Sequence, residues 1–365
     1  MRSPRQVTWL CFAAVTLGCM SSVALAIVTS DGFGTHVIQN GTPLDLDDIL
    51  PFNSPALNHD TVAQLRILRP DYGEILCSSA LINTPLGPGT LAAAHCLADD
   101  HGQLIATDAS VFYEEFGIPI EYTTSDPQNM LIHPNYDGTG WHGYDIAVVF
   151  WDQPIGATVQ PRYDLSNNEQ PPLFLPVVKM GFGWTGHGNG EQDLIQDDQK
   201  RWGLNRYEAL ALGDCGVPVP GGWNNTETQL SMDFDSGLEE NDVFSTYCYG
   251  EGEVKTFYLG FGPDEVLGAF NDSGGPNFVY DGNKWVIGAV NSYVFRIPDG
   301  VLGVPESTDV NDDFDFSWGE YEGDARVTVD LVNQVLGLVP PTKSSGGPFG
   351  HGWAAGGHLF RPESP

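Results

Sequence analysis

Apolar and polar residues alternate along short segments of this chain in the way that β-strands require. Residues 62–68 alternate, residues 146–151 form a continuous apolar run, and residues 173–180 form a further strand-like segment. An Asp-Gly-Asn turn joins two more apolar segments into a hairpin. With 44 glycines, 26 prolines and few long helical patterns, the chain is predicted to be all-β. One segment near the C-terminus, residues 325–338, has the apolar spacing of a helix.

The first 26 residues have the composition of a secretory signal peptide. Two arginines precede a short apolar core at residues 7–17, and Ala24-Leu25-Ala26 forms a small-residue cleavage site. A lipoprotein processing site at Cys19 is the alternative, although Thr16 stands where an aliphatic residue is usual. The apolar core is shorter than the roughly 20 residues that span a membrane. We therefore expect a secreted, extracellular protein without a membrane anchor. The periplasm is the alternative location.

Acidic residues greatly outnumber basic ones. The chain has 48 Asp and Glu against 15 Lys and Arg, a net charge of −33, which argues against nucleic acid and anionic membranes as partners. Such a surface is suited to weak binding of divalent cations. A calcium-loop pattern occurs at Asp309, Asn311, Asp313, Asp315 and Glu320, but Phe314 takes the place of the glycine that the sharp turn needs. We expect no cofactor and no resident metal.

Three short segments carry residues suited to nucleophilic catalysis. Residues 271–276 are Asn-Asp-Ser-Gly-Gly-Pro, a tight turn that can present the Ser273 hydroxyl together with backbone N–H groups. A serine hydroxyl needs a base, and His95 follows three alanines while Asp145 begins an apolar strand. Each has an ordinary explanation by itself: a surface turn, a satisfied core histidine, a carboxylate at a strand end. Together, in the order His, Asp, Ser, they favour a catalytic triad.

These segments resemble the chymotrypsin- and trypsin-like serine proteases, and bacterial secreted members in particular. The resemblance is carried by Ala-Ala-His-Cys at 93–96, Asp-Ile-Ala at 145–147 and Asp-Ser-Gly-Gly-Pro at 272–276, and it extends over roughly residues 61–338. It implies a double barrel of two six-stranded antiparallel β-barrels, closed by a C-terminal helix.

The resemblance also implies a role for each residue of the triad. His95 would be the general base and then the general acid, Asp145 would hold the histidine tautomer, and Ser273 would attack the scissile carbonyl. The oxyanion hole would consist of the backbone N–H groups of Asn271 and Ser273. Asn271 departs from the family's usual glycine, so its side chain is a candidate obstruction on the leaving-group side.

The specificity pocket implied by the resemblance is apolar. Leu267 aligns with the pocket floor, and Asn291, Ser292 and Tyr293 align with its wall. Ala269 replaces the cysteine that normally braces this pocket. Because a substrate Arg or Lys would find no carboxylate at the floor, we expect cleavage after small or medium apolar residues.

Four cysteines remain once the signal is removed, and an even count in a secreted chain suggests two disulfides. The resemblance implies that Cys77 pairs with Cys96, which leaves Cys215 and Cys248 as the second pair. The alternative is that these cysteines are free buried thiols.

Cleavage after Ala26 would expose Ile27-Val28 as the new N-terminus. In the family that the chain resembles, such an amino group turns inward and pairs with the aspartate before the nucleophile, here Asp272. A loose N-terminal segment is the alternative.

The expected organisation is therefore a signal peptide (1–26), an N-terminal segment (27–60), a trypsin-like domain (61–338) and a flexible Gly/Pro-rich tail (339–365). The domain would contain barrels at about 61–159 and 173–324 and a helix at 325–338. The predicted function is that of a secreted serine endopeptidase acting on peptides or proteins through an acyl-enzyme. The alternative is a catalytically weak homologue that serves as a binding protein.

Overall fold

The computed structural model describes residues 27–29, 37–38, 42–47, 50, 52–115, 118–139, 143–157, 159, 163–166, 175–187, 196–208, 229–233, 261, 264–268, 271–296, 318–323 and 332–338. The first eight strands within these ranges are β1 (Ile27–Thr29), β2 (Val62–Arg69), β3 (Gly73–Thr84), β4 (Gly87–Ala92), β5 (Asp108–Glu115), β6 (Ile118–Thr124), β7 (Met130–Ile132) and β8 (Ala147–Val149). The remaining strands are β9 (Pro176–Gly181), β10 (Thr185–His187), β11 (Arg201–Arg206), β12 (Gln229–Asp233), β13 (Val266–Leu267), β14 (Pro276–Tyr280), β15 (Trp285–Arg296) and β16 (Trp318–Gly323). The helical elements of the described residues are α1 (Ala94–Leu97), a 3₁₀ turn (Pro127–Asn129) and a helical turn at 332–335.

The first sheet is antiparallel and has seven strands in the order β6-β5-β2-β3-β4-β8-β7. Its pleat follows the sequence pattern, since Leu65 and Ile67 of β2 are fully buried whereas Arg66 and Leu68 between and after them are exposed. Short turns join β2 to β3 and β3 to β4, whereas β2 also pairs with β5 and β4 with β8, which are not their neighbours in the chain. α1 begins two residues after β4 and carries His95.

The second sheet is also antiparallel and has six strands in the order β11-β9-β14-β15-β16-β12. The hairpin between β14 and β15 turns at Gly282. This residue has a φ of 90°, a left-handed conformation that glycine adopts at little cost because it has no Cβ. The Asp281 carboxylate accepts hydrogen bonds from the backbone N–H groups of Asn283 and Lys284 and so stabilises the turn. A small third sheet places β1 between β10, its parallel partner, and β13, its antiparallel partner.

One apolar cluster is shared by the two large sheets. It combines residues of the first sheet, among them Ile82 and Val148, with residues of the second, among them Val178 and Phe278, and Val332 and Val335 near the C-terminus pack into it. Burial of this common core holds the sheets together, because apolar surface on both is removed from water at once.

The prediction of an all-β, double-barrel fold with a C-terminal helix is confirmed in its architecture. The predicted hairpin corresponds to β14 and β15, and the alternating segment at 62–68 corresponds to β2. Of the predicted helix at 325–338, residues 332–335 are helical and residues 325–331 lie outside the described part. The predicted signal peptide and the tail at 339–365 also lie outside it.

Candidate active site

The buried Asp145 carboxylate makes two hydrogen bonds with His95. Asp145 Oδ2 lies 2.7 Å from His95 Nδ1, and Asp145 Oδ1 accepts the backbone N–H of His95 at 2.8 Å. The Asp145 side chain is 3% exposed, whereas that of His95 is 35% exposed. The carboxylate is therefore shielded from solvent while the imidazole remains accessible, and the bond at Nδ1 leaves Nε2 as the atom that can accept a proton.

His95 and Asp145 each favour the charged form of the other. Burial of the imidazole opposes its protonation, but the charge and the hydrogen bond of Asp145 raise the pKa of His95 above its ordinary value. Burial alone would raise the pKa of Asp145. The charge of His95 and the hydrogen bonds from His95 and Ser292 outweigh that effect and lower it. The site therefore stabilises an imidazolium beside a carboxylate.

A strained turn places Asp145 just ahead of β8. Tyr144 has a φ of 63°, a conformation that is costly for a bulky residue. Its ring stacks on that of His133 with a centroid distance of 4.8 Å, and its carbonyl accepts the N–H of Ile146. His133 Nε2 in turn lies 3.0 Å from Gln334 Oε1 in the C-terminal segment. These contacts hold the turn in the conformation that directs Asp145 toward His95.

The loop that carries Ser273 packs directly against the segment before His95. Gly274 has a φ of 81°, and a Cβ there would meet Ser78 O at 2.6 Å and Ala93 N at 2.7 Å, so only glycine fits. The Ser273 carbonyl accepts the N–H of Ser78 at 2.9 Å. The backbone of the predicted nucleophile loop is thus in contact with both β3 and the residues that lead into α1.

The predicted disulfide between Cys77 and Cys96 is confirmed, with a Cα–Cα distance of 6.6 Å. It joins β3 to α1, one residue beyond His95, and Cys96 Sγ lies 3.9 Å from the Ser273 carbonyl oxygen. The second predicted pair, Cys215 and Cys248, lies outside the described residues.

Two backbone N–H groups of the nucleophile loop are available to a ligand. Among the residues that the structure describes, none accepts a hydrogen bond from the N–H of Asn271 or of Ser273, whereas Gly274 N donates to Asn291 O and Gly275 N donates to Asp272 O. Asn271 adopts a φ of 71°, which asparagine tolerates better than other residues with a Cβ. These are the two amides that the sequence predicts for an oxyanion hole. Within the same described part of the chain, no hydrogen bond joins Ser273 Oγ to His95.

The four residues predicted for the specificity pocket lie in different surroundings. Ser292 Oγ donates to Asp145 Oδ2 at 2.5 Å, and the buried side chain of Asn291 accepts from Lys179 Nζ at 2.9 Å. Leu267 is buried in β13, and the Tyr293 hydroxyl accepts a hydrogen bond from a glutamine of β12. The structure therefore brings Ser292 to the histidine-aspartate pair, a contact that the sequence analysis did not anticipate.

Asp272 is fully buried beside the turn that follows β9. Its Oδ1 accepts the N–H of Gly183 at 2.8 Å, and a Cβ at Gly181 would overlap its carboxylate. The backbone of Ile27 pairs with Thr185, two residues beyond Gly183. The two members of the predicted N-terminal ion pair are thereby brought to neighbouring segments.

Arg69 is a further residue that the sequence analysis missed. It is buried, its Nη1 donates to the His95 carbonyl at 2.8 Å, and its Nε and Nη2 bind both carboxylate oxygens of Asp71. Its positive charge lowers the pKa of His95. A lone arginine in an alternating strand gives no signal of this contact.

A search of the described residues finds no group of three or more His, Cys, Asp or Glu side chains placed to hold a metal ion. The calcium-loop pattern that begins at Asp309 lies almost entirely outside those residues. Within the same ranges, no helix has the length and apolar character needed to cross a membrane.

A scan against protein-family models and a comparison with curated proteins both find no match for this chain. Among solved structures the chain is similar to an HL collagenase, with 15% identity, coverage of 83% of this chain and 100% of the collagenase, and a TM-score of 0.49. It is similar to AL20, a thermostable serine protease from an extremophilic microorganism (13% identity, 75% and 95% coverage, TM-score 0.41). It is also similar to the protease Anisep from Arthrobacter nicotinovorans (12% identity, 76% and 95% coverage, TM-score 0.43). At such identities, the roles of individual residues must come from the geometry of this chain itself.

Proposed function

We propose that this chain is a secreted serine endopeptidase that hydrolyses peptide bonds through an acyl-enzyme. One observation carries the proposal: a buried Asp145 carboxylate holds His95 by two hydrogen bonds, beside a Ser273 loop whose amides at 271 and 273 are unused within the described chain. A base with an oriented tautomer, a hydroxyl and two amide donors are the parts that acyl transfer requires.

In the proposed mechanism, Ser273 Oγ attacks the scissile carbonyl carbon and its proton passes to His95 Nε2. The resulting oxyanion accepts hydrogen bonds from the N–H groups of Asn271 and Ser273, while Asp145 stabilises the imidazolium. Collapse breaks the C–N bond, and His95 donates its proton to the departing amine. A water molecule then attacks the acyl-enzyme, with His95 again as the base, and releases the acid product and free Ser273.

One observation favours the alternative, a catalytically weak homologue that binds proteins. Ser273 Oγ has no hydrogen bond to His95 within the described residues. Catalytic hydrogen bonds are often long before a substrate is bound, and a rotation of the serine side chain changes this distance. The two functions therefore differ in whether Ser273 reacts as a nucleophile.

A fluorophosphonate probe tests this difference directly, because it labels only an activated serine. We expect the mature protein to be labelled and both Ser273→Ala and His95→Ala to remain unlabelled. Ser110→Ala, which removes a partly exposed serine of β5, should be labelled like the wild type. A folded wild-type protein that stays unlabelled, with a native circular dichroism spectrum, would support the binding function instead.

Secretion and an N-terminal ion pair form part of the same proposal. The disulfide between Cys77 and Cys96 supports an oxidising compartment. The proximity of Ile27 to the turn that binds Asp272 supports pairing of a new N-terminal amino group with that carboxylate. N-terminal sequencing of the secreted protein tests cleavage before Ile27. One extra residue at this position should strongly reduce activity, and full activity of the extended protein would exclude the pair.

The proposed substrate preference is for small or medium apolar residues before the scissile bond. It rests on Leu267, which is buried in β13 and supplies no charge for a substrate Arg or Lys. Cleavage of a random peptide library, analysed by mass spectrometry, measures the preference. A dominant preference for Arg or Lys would show that an acidic side chain from elsewhere reaches the pocket.

A further inference from the structure

We propose that Ser78 and the side chain of Asn271 are positioning residues that fix the amide of Asn271 for oxyanion binding. We name these two residues the oxyanion clamp. The inference rests on the proposed protease function and concerns how this chain, which has asparagine at a left-handed position, keeps that amide in place.

The first part of the clamp is the amide side chain of Asn271. The amide orientation is assigned from its neighbours: with Nδ2 facing Leu76 O and Oδ1 facing Trp184 Nε1, it donates at 3.1 Å and accepts at 3.3 Å. Leu76 belongs to β3 and Trp184 precedes β10, so the side chain is bound from two separate parts of the fold. Asparagine is thus more than a tolerated substitute for glycine here, because its amide makes bonds that hold the backbone at a φ of 71°.

The second part is the fully buried hydroxyl of Ser78. Ser78 Oγ donates to Asn271 O at 2.7 Å and accepts from Phe182 N at 2.9 Å, while Ser78 N donates to Ser273 O. Ser78 therefore forms hydrogen bonds with the carbonyls of Asn271 and Ser273, and also with the turn after β9. Without the hydroxyl, Asn271 O and Phe182 N would both lose a partner.

The two oxyanion amides depend on the clamp to different degrees. The Ser273 N–H shares a rigid peptide plane with Asp272 O, which already accepts Gly275 N at 2.7 Å and Asn291 Nδ2 at 3.2 Å. The Asn271 N–H shares its peptide plane with the carbonyl of residue 270, which lies outside the described part of the chain. Among the contacts that the structure describes, those of the Asn271 side chain and carbonyl restrain rotation about this residue. Loss of the clamp should therefore weaken one donor of the oxyanion hole and leave the other in place.

Such a loss acts on the transition state and not on substrate binding. Removal of an oxyanion donor costs about 10²- to 10³-fold in kcat, so a loosened donor should cost about 10-fold. We expect this decrease in kcat for Ser78→Ala and for Asn271→Gly, with KM changed less than about twofold. Asn271→Gly is the informative variant. If asparagine were merely tolerated, glycine would restore or increase activity.

The experiment measures kcat, KM and inhibition by a peptide aldehyde, whose adduct carries an oxyanion. Ser79→Ala is the matched control, since Ser79 is the next residue of β3, is equally buried and donates to Ala63 O at 2.9 Å, away from the loop. In Ser78→Ala and Asn271→Gly, we expect the affinity for the aldehyde to fall by the same factor as kcat. In Ser79→Ala, kcat and aldehyde affinity should both equal those of the wild type. The pH dependence that His95 sets should be unchanged in all three variants.

The outcomes separate this inference from the proposed function. A wild type that neither cleaves peptides nor reacts with fluorophosphonate would overturn both. A reactive wild type with an unimpaired Asn271→Gly variant, or with equal losses in Ser78→Ala and Ser79→Ala, would overturn the clamp alone. If Ser78→Ala does not fold, Asn271→Gly decides the question.

Discussion

Replacing Ser292 with alanine should slow catalysis without weakening substrate binding. The Ser292 hydroxyl donates to Asp145 Oδ2 at 2.5 Å, on the same oxygen that binds His95 Nδ1 at 2.7 Å. Both partners are buried, so water does not replace the lost donor at full strength. Ser292→Ala removes one of the three hydrogen bonds that Asp145 receives here and leaves the two from His95.

The size of the effect follows from the charge of the acceptor. A hydrogen bond to a charged group contributes about 1.5–3 kcal/mol. Because Asp145 must remain ionised while His95 carries the proton in the transition state, most of that loss should appear in the barrier. A loss of about 1.4–2.7 kcal/mol corresponds to a 10- to 100-fold decrease in kcat. The hydroxyl also lowers the pKa of Asp145, so its removal raises that pKa.

The assay is steady-state cleavage of a peptide substrate by the wild type, Ser292→Ala and Ser292→Thr. Threonine keeps a hydroxyl and suits a strand, so it should retain most of the activity. A decrease confined to KM, together with an altered residue preference, would show that Ser292 contacts substrate as a pocket residue. A decrease of less than about threefold in kcat would refute the energetic reasoning.

Three further predictions concern stability and pH. The disulfide between Cys77 and Cys96 closes a loop with a sequence separation of 19. Its replacement by two alanines should therefore lower the free energy of unfolding, measured by urea titration, by about 3 kcal/mol. An unchanged free energy of unfolding would contradict this prediction. Burial lowers the pKa of His133 from 6.5 to about 4, so the unfolded chain binds more protons between these pH values and stability should fall by roughly 2–3 kcal/mol as pH decreases through that window. Between pH 7 and pH 4.5, the melting temperature of His133→Gln should fall less than that of the wild type. An equal fall in both proteins would refute this prediction. Arg69→Gln should raise the pKa of His95 and move the acid limb of the kcat/KM profile to higher pH, whereas a shift to lower pH would contradict the assigned charge effect.

Local sequence patterns predicted the parts of the site that are contained in single segments. The residues around His95 and Ser273 have short-range signatures, because an exposed hydroxyl on a tight turn demands glycines at fixed positions. The strand periodicity likewise predicted β2 and the β14–β15 hairpin. These features depend on neighbours in the chain and are therefore visible in the sequence.

Contacts between distant segments could not be predicted in this way. Ser292 lies 147 residues from Asp145, and Ser78 lies 193 residues from Asn271. No periodicity links such positions, so Ser292 was assigned to the pocket wall and Ser78 received no role. The side chain of Asn271 was a candidate obstruction, and nothing in the sequence indicated the hydrogen bonds that its amide is assigned to Leu76 and Trp184. Such polar residues acquire their partners only when distant segments pack together.

The position of β1 has a consequence for the order of folding. Within the described part of the chain its partners are β10 and β13, so this strand pairs with segments from the distant second half. Contacts of such long sequence separation form slowly, because a large loop must close before they contribute stability. Residue 27 should consequently remain accessible while the first sheet folds, so the cleavage proposed before it can take place before β1 pairs.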